Sequence, residues 1–249
     1  MKDGGIISIM NDISTKTIRE IALEAPATTR VFEKFKIDYC CGGNRSIADA
    51  CAATGIDYSQ LMESIDQIVS KPETDDDVTA PERRGATELI GYILASHHVF
   101  TVEEIERLKP LMAKVVMRHG ERHPELFELQ TVFGELSESL IPHMRKEEHV
   151  LFPYIVELER AEKANLSPPI PHFGTVKNPI RMMMAEHDAD GDRLRKMRAV
   201  TNDYSLPDGA CPSFTALYAG LEDLERDLHK HIHLENNVLF PAAAELESR

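Results

Sequence analysis

HMRKEEHVLFPYIVELE at 143–159 and HIHLENNVLFPAAAELE at 231–247 align without a gap at a shift of 88 residues. Both read H-x3-E-x3-LFP and close on ELE. A copied segment of this kind implies two copies of one supersecondary unit that bury a common face. On a helix, residues four apart lie about 40° from each other, so His143 shares a face with Glu147, and His231 shares one with Glu235. Around the first pair, Leu136, Leu140, Val150, Leu151, Tyr154 and Leu158 continue the same stripe at steps of three and four. Leu221, Leu224, Leu228, Val238, Leu239 and Ala242 do so around the second. Each His/Glu pair therefore interrupts an apolar stripe, where an uncompensated charge costs several kcal/mol.

Apolar spacing of three and four runs through four long stretches, about 86–117, 125–161, 176–200 and 213–246, and no alternating strand pattern competes. The fold class is all-α: an antiparallel four-helix bundle over 84–249, built from two helical hairpins. Residues 1–70 form a small helical N-terminal domain, with helices expected at TIREIALE, TTRVFEKFKI, SIADACAA and SQLMESIDQIV. Between them KPETDDDVTAPE, acidic and carrying two prolines, reads as a linker over 71–83.

Two buried His/Glu pairs on facing helices bring four polar groups to one depth, and a metal centre satisfies all of them. The other two helices should add ligands. His187 lies on the stripe of Ile180, Met183, Met184 and Leu194, 44 residues ahead of His231. In the first helix the choice is His97 or His98, 46 and 45 residues ahead of His143. The repeat favours His98, on the stripe Ile90, Leu94, Val102, Ile105, while His97 borders Ile93 and Phe100, so periodicity leaves the choice open. His98, His143, Glu147, His187, His231 and Glu235 exceed what one zinc requires. Two metals, each with two imidazoles and bridged by both glutamates, use all six, and that mixture suits iron. His229 and His233 lie about 200° from His231, among Glu222, Glu225, Arg226, Asn236 and Asn237, and are expected on the solvated side.

The net charge of −14 repels a phosphate backbone, which argues against nucleic acid. No apolar run approaches the length of a membrane span, and MKDGGIISIMNDIS lacks a leader pattern, so a cytoplasmic protein is expected. Four cysteines, two adjacent, make no disulfide framework.

With H-x3-E-x3-LFP the bundle resembles the hemerythrin-like domains. The segment carrying DYCCGG at 38–43 resembles the short N-terminal domain of the iron-sulfur cluster repair di-iron proteins, and the two together cover almost the whole chain. The resemblance implies an oxo-bridged di-iron centre on the four-histidine, two-glutamate set. It also implies a homodimer that restores iron-sulfur proteins damaged by nitric oxide or peroxide. Nitric oxide and oxygen are the small ligands it implies. Glu186, beside His187, matches a family acid near the site, as an outer or exchangeable ligand.

Cys40 and Cys41 can be two small residues entering a Gly-Gly turn, or a thiol pair ahead of a helix available for metal hand-off. The resemblance favours function, with the pair assisting iron transfer. Cys51 and Cys211 read as structural. A di-iron reductase of nitric oxide or peroxide, and a sensor of nitric oxide or oxygen, are the alternative functions.

Overall fold

The computed structural model describes residues 16–40, 42–69 and 81–249. Among them no strand forms, and the one isolated bridge joins Thr17 to Ser46. Contacts divide the chain into two compact units: the described residues up to Gly85 together with Ile232–Leu239, and Ala86–His231 together with Phe240–Arg249.

In the N-terminal part the helices are α1 (Ile18–Glu24), α2 (Thr29–Lys34), α3 (Ile47–Thr54) and α4 (Tyr58–Val69). Local chemistry sets their ends. Thr17 and Glu20 form a capping box on α1, and the Ser46 side chain caps α3, which stops at Gly55 with φ of 73°. Ile18, Ile21, Phe32, Tyr39, Leu61 and Ile65 close one core. Of the expected linker, residues 71–80 lie outside the described residues, and Pro81–Arg83 forms a 3-10 turn.

Four long helices follow. Helix α5 runs through Ala86–Ile93, a π-helical turn at Leu94–His98 and Val99–His119. Helix α6 runs through Glu125–Lys146, a π turn at Glu147–Leu151 and Phe152–Lys163. Helix α7 is regular over Lys177–Val200, and α8 runs through Pro212–His233, a π turn at Leu234–Leu239 and Phe240–Ser248. Leu108, Leu129, Phe133, Leu136, Leu194, Leu217, Leu221 and Leu224 fill the bundle core.

A π turn adds one residue to a helical turn, so the buried stripe slips by one position beyond it. That slip explains two departures from simple periodicity. Val150 is exposed while Leu151 is buried, and Ala243 rather than Ala242 reaches the core. Val102, four residues past the π turn of α5, is exposed as well. Pro153 and Pro241 stand just after the π turns of α6 and α8 and have no N–H to return to the ladder, which gives the proline of the LFP sequence a structural role.

The closing ELE of each copy has a second structural use. Glu159, near the end of α6, accepts from the backbone N–H of Ala86 at 3.0 Å and from that of Thr87 at 3.4 Å, and so caps α5 from a distance. Glu247, near the end of α8, accepts from the N–H of Val176 at 2.7 Å and caps α7 in the same way. The second helix of each hairpin thus holds the start of the first. Burial pushes both carboxyls up, but hydrogen bonds from Thr87 and Lys163, and from Thr175, Val176 and Tyr154, outweigh it and hold each below its ordinary value. A depressed carboxyl contributes stability above its ordinary range and loses it as pH falls through the native value. Glu159→Ala should therefore cost about 1 kcal/mol in urea unfolding at neutral pH, with a smaller difference in acid.

Candidate metal centre

Six buried side chains converge where the four bundle helices carry their polar interruptions. His98, Glu147, His231 and Glu235 place one ligand atom each within 4.8 Å of one another, and His143, Glu147, His187 and Glu235 do the same. The two glutamates belong to both groups. Glu147 divides its carboxylate between them: Oε1 lies 3.3 Å from His143 Nε2, and Oε2 lies 3.6 Å from His98 Nε2. Histidine nitrogens sit about 2.1 Å from a transition metal, so neighbouring ligands of one ion are about 3 Å apart. The 2.9 Å between His143 Nε2 and His187 Nε2 has that spacing. The rings pair accordingly, with centroids 4.7 Å apart for His143/His187 and 4.9 Å for His98/His231.

The far nitrogens are anchored by carboxylates, as metal-bound imidazoles usually are. His98 Nδ1 lies 2.8 Å from Glu148 Oε1, and His143 Nδ1 lies 2.7 Å from Glu186 Oε2. Each bond holds the proton on Nδ1 and leaves Nε2 bare toward the cluster. Glu186 is thus behind His143 and in neither ligand group, with Lys146 as its other partner. Burial pushes the Glu186 carboxyl up, and bonds from Lys146 and His143 bring it below the ordinary value, so it is an anion at neutral pH. His98 Nε2 is buried and has no hydrogen-bond partner among the described residues. Four imidazoles and two shared carboxylates, all buried, are a donor set that fits two transition-metal ions.

Between the two adjacent histidines the structure places His98 in the cluster and His97 beside it. Both are 3% exposed. His97 Nδ1 bonds Asp227 Oδ1 at 2.9 Å, and its ring stacks 5.6 Å from His231 at an interplanar angle of 4°. The π turn lets two consecutive residues of α5 face inward, and ordinary helical periodicity gives no signal for it.

The solvated side expected for His229 and His233 is corrected. His229 is half-buried, 3.9 Å from Glu225 Oε1, and His233 is 1% exposed. Glu225, Asn236 and Asn237 are buried too. His233 Nδ1 accepts from Asn237 Nδ2 at 2.9 Å, and the same amide donates to the Tyr39 carbonyl at 3.2 Å. The Tyr39 ring meets His233 edge-on at 5.2 Å. Burial pushes the His233 imidazole down to about 4, so it is neutral at physiological pH. Along one helix this face reads as polar, but Tyr39 covers His233 and Asn237, while Arg198 and Tyr204 bond Glu225.

Cys40 is 5% exposed, and both its N–H and its thiol donate to Asp38 Oδ1, at 3.1 and 3.3 Å. Cys41 lies outside the described residues. The Gly-Gly that follows has a steric cause: a Cβ on Gly43 would stand 2.7 Å from the Tyr39 carbonyl, and the Gly43 carbonyl takes the N–H of Arg19 at 2.8 Å.

A bundle of this kind with paired His and Glu ligands defines a class, the Hemerythrin HHE cation binding domain, whose family pattern matches residues 89–243. The N-terminal residues 14–69 match ScdA_N, a domain of unknown function, DUF542. The chain is 33% identical over 223 residues to the iron-sulfur cluster repair protein ScdA of Staphylococcus haemolyticus, covering 90% of this chain and 95% of that one. It is 32% identical over 232 residues to the iron-sulfur cluster repair protein YtfE of Yersinia pseudotuberculosis, covering 93% and 98%. The chain belongs to the family of these iron-sulfur cluster repair proteins.

His233→Ala should lower the unfolding free energy by about 1–3 kcal/mol, because it strips a partner from buried Asn237. Its metal content should stay that of the unaltered protein, as read by elemental analysis beside thermal unfolding.

Proposed function

We propose that this chain holds two iron ions on His98, His143, Glu147, His187, His231 and Glu235, and that it restores damaged iron-sulfur clusters by supplying iron. The division of the Glu147 oxygens between His98 and His143 carries the reading, because a carboxylate bound to one ion has no need of two separate histidine pairs. The names of the relatives supply the repair role, and iron-sulfur proteins are the partners it implies. No described helix is long and apolar enough to cross a membrane.

The chain's own residues do three things here. Glu147 and Glu235 offer negative charge to both ligand groups and offset the cost of burying cations. Glu148 and Glu186 fix the tautomers of His98 and His143. Asp38 accepts from the Cys40 thiol and holds that sulfur in place, where it would be the nearest carboxylate if the thiol were to assist hand-off. Bound iron supplies a redox-active, exchangeable Lewis acid that free side chains cannot provide.

Anaerobic iron loading should give two irons per chain, and His231→Ala should hold one at most while His229→Ala keeps both. One zinc per chain would overturn the centre. Cys40→Ser with Cys41→Ser should keep the iron yet fail to reactivate a nitric-oxide-damaged iron-sulfur enzyme. Full reactivation by that variant would remove the thiols from the mechanism. Multiple turnover of nitric oxide with a reductant would make the chain an enzyme.

A further inference from the structure

We propose that Cys211 and His119 form a reactive-thiol site, separate from the metal cluster, that exchanges with low-molecular-weight disulfides. His119 Nε2 lies 3.1 Å from Cys211 Sγ, the arrangement of a nucleophile and its base. Both residues are half-buried, so the sulfur is held in place and still reachable. This departs from the structural role expected of Cys211 in the sequence.

Two elements make the pair. Cys211 is the N-cap of α8, its carbonyl accepting from Phe214 N–H at 2.9 Å and Thr215 N–H at 3.1 Å, so the thiol stands at the positive end of a long helix. His119 ends α5, and the chain turns at once through Gly120, where a Cβ would meet the Phe127 ring at 2.8 Å. Phe214 packs against His119 at 5.4 Å and against His123 at 5.6 Å, which limits the motion of the imidazole. The neighbouring charges balance, with Arg118 and Arg122 set against Glu121 and against Glu125, which pairs with His123 at 3.1 Å. Along α8 the thiol lies about 30 Å from His231, so it is independent of iron.

The step balances without another reagent. His119 takes the thiol proton as Cys211 sulfur attacks R–S–S–R. The old S–S bond breaks, Cys211–S–S–R forms, and the leaving thiolate receives that proton as R–SH. The protein thiol is oxidised and one half of the disulfide is reduced.

The test incubates the intact iron-loaded protein with oxidised glutathione and follows each cysteine by mass spectrometry. The comparators are a synthetic peptide of residues 206–217 and the buried Cys51, whose thiol burial pushes up. Native Cys211 should react on the order of tenfold faster than the same cysteine in the peptide, and faster than Cys51. His119→Gln should bring it to the peptide rate or below. The proposal is overturned if native Cys211 reacts no faster than the peptide, or if a folded His119→Gln variant keeps the full rate. The peptide comparison needs no variant, and iron content measured alongside tests the metal reading separately.

Discussion

Two fully buried carboxylates, Glu147 and Glu235, set the terms on which the rest of the bundle is built. An anion in an apolar interior is costly by several kcal/mol unless cations or donors surround it, and here imidazoles from four helices surround both. Such a centre forms only if the four helices arrive at one depth with the correct face inward. Two devices in the bundle contribute to that alignment. Carboxylates behind the imidazoles fix which nitrogen carries the proton, and the trans caps of Glu159 and Glu247 fix where each hairpin's first helix begins.

The repeated segment combines two kinds of constraint in seventeen residues. Its first half carries the candidate ligands, and its second half carries the structural parts: a proline beyond a π turn and a glutamate that caps a neighbouring helix. The π turns lie at three of the stretches that bear candidate ligands, Leu94–His98, Glu147–Leu151 and Leu234–Leu239, while His187 rides a regular helix. Local widening lets a helix present an additional residue inward without rotating its whole length, and on α5 the consequence is that two successive histidines are buried. Three stretches that depart from ideal helix are thus where the candidate ligands are concentrated.

Much of this was legible in the residues because the two informative signals are local. The helical period places His143 with Glu147 and His231 with Glu235, and the copy at a shift of 88 marks both as a pair. The four long helices and the four short N-terminal ones follow from apolar spacing and from caps such as Thr17 with Glu20 and Ser46. His233, Asn236 and Asn237 were not legible in this way. They look polar and solvated by composition, yet all three are buried, with Tyr39 packed against His233 and Asn237. The Cys211–His119 contact joins residues 92 apart at helix ends, where no periodicity connects them.

By itself the sequence determined the all-α class, the hairpin repeat and the identity of the paired His and Glu residues, since these depend on spacing along one helix. Tertiary structure alone decided between His97 and His98, put Glu186 behind His143 rather than among the ligands, and aimed the two oxygens of Glu147 at different histidines. The physical reason is that each of these depends on where one helix stands relative to another, and on one-residue slips at π turns. Side-chain order along a chain contains no direct measure of either.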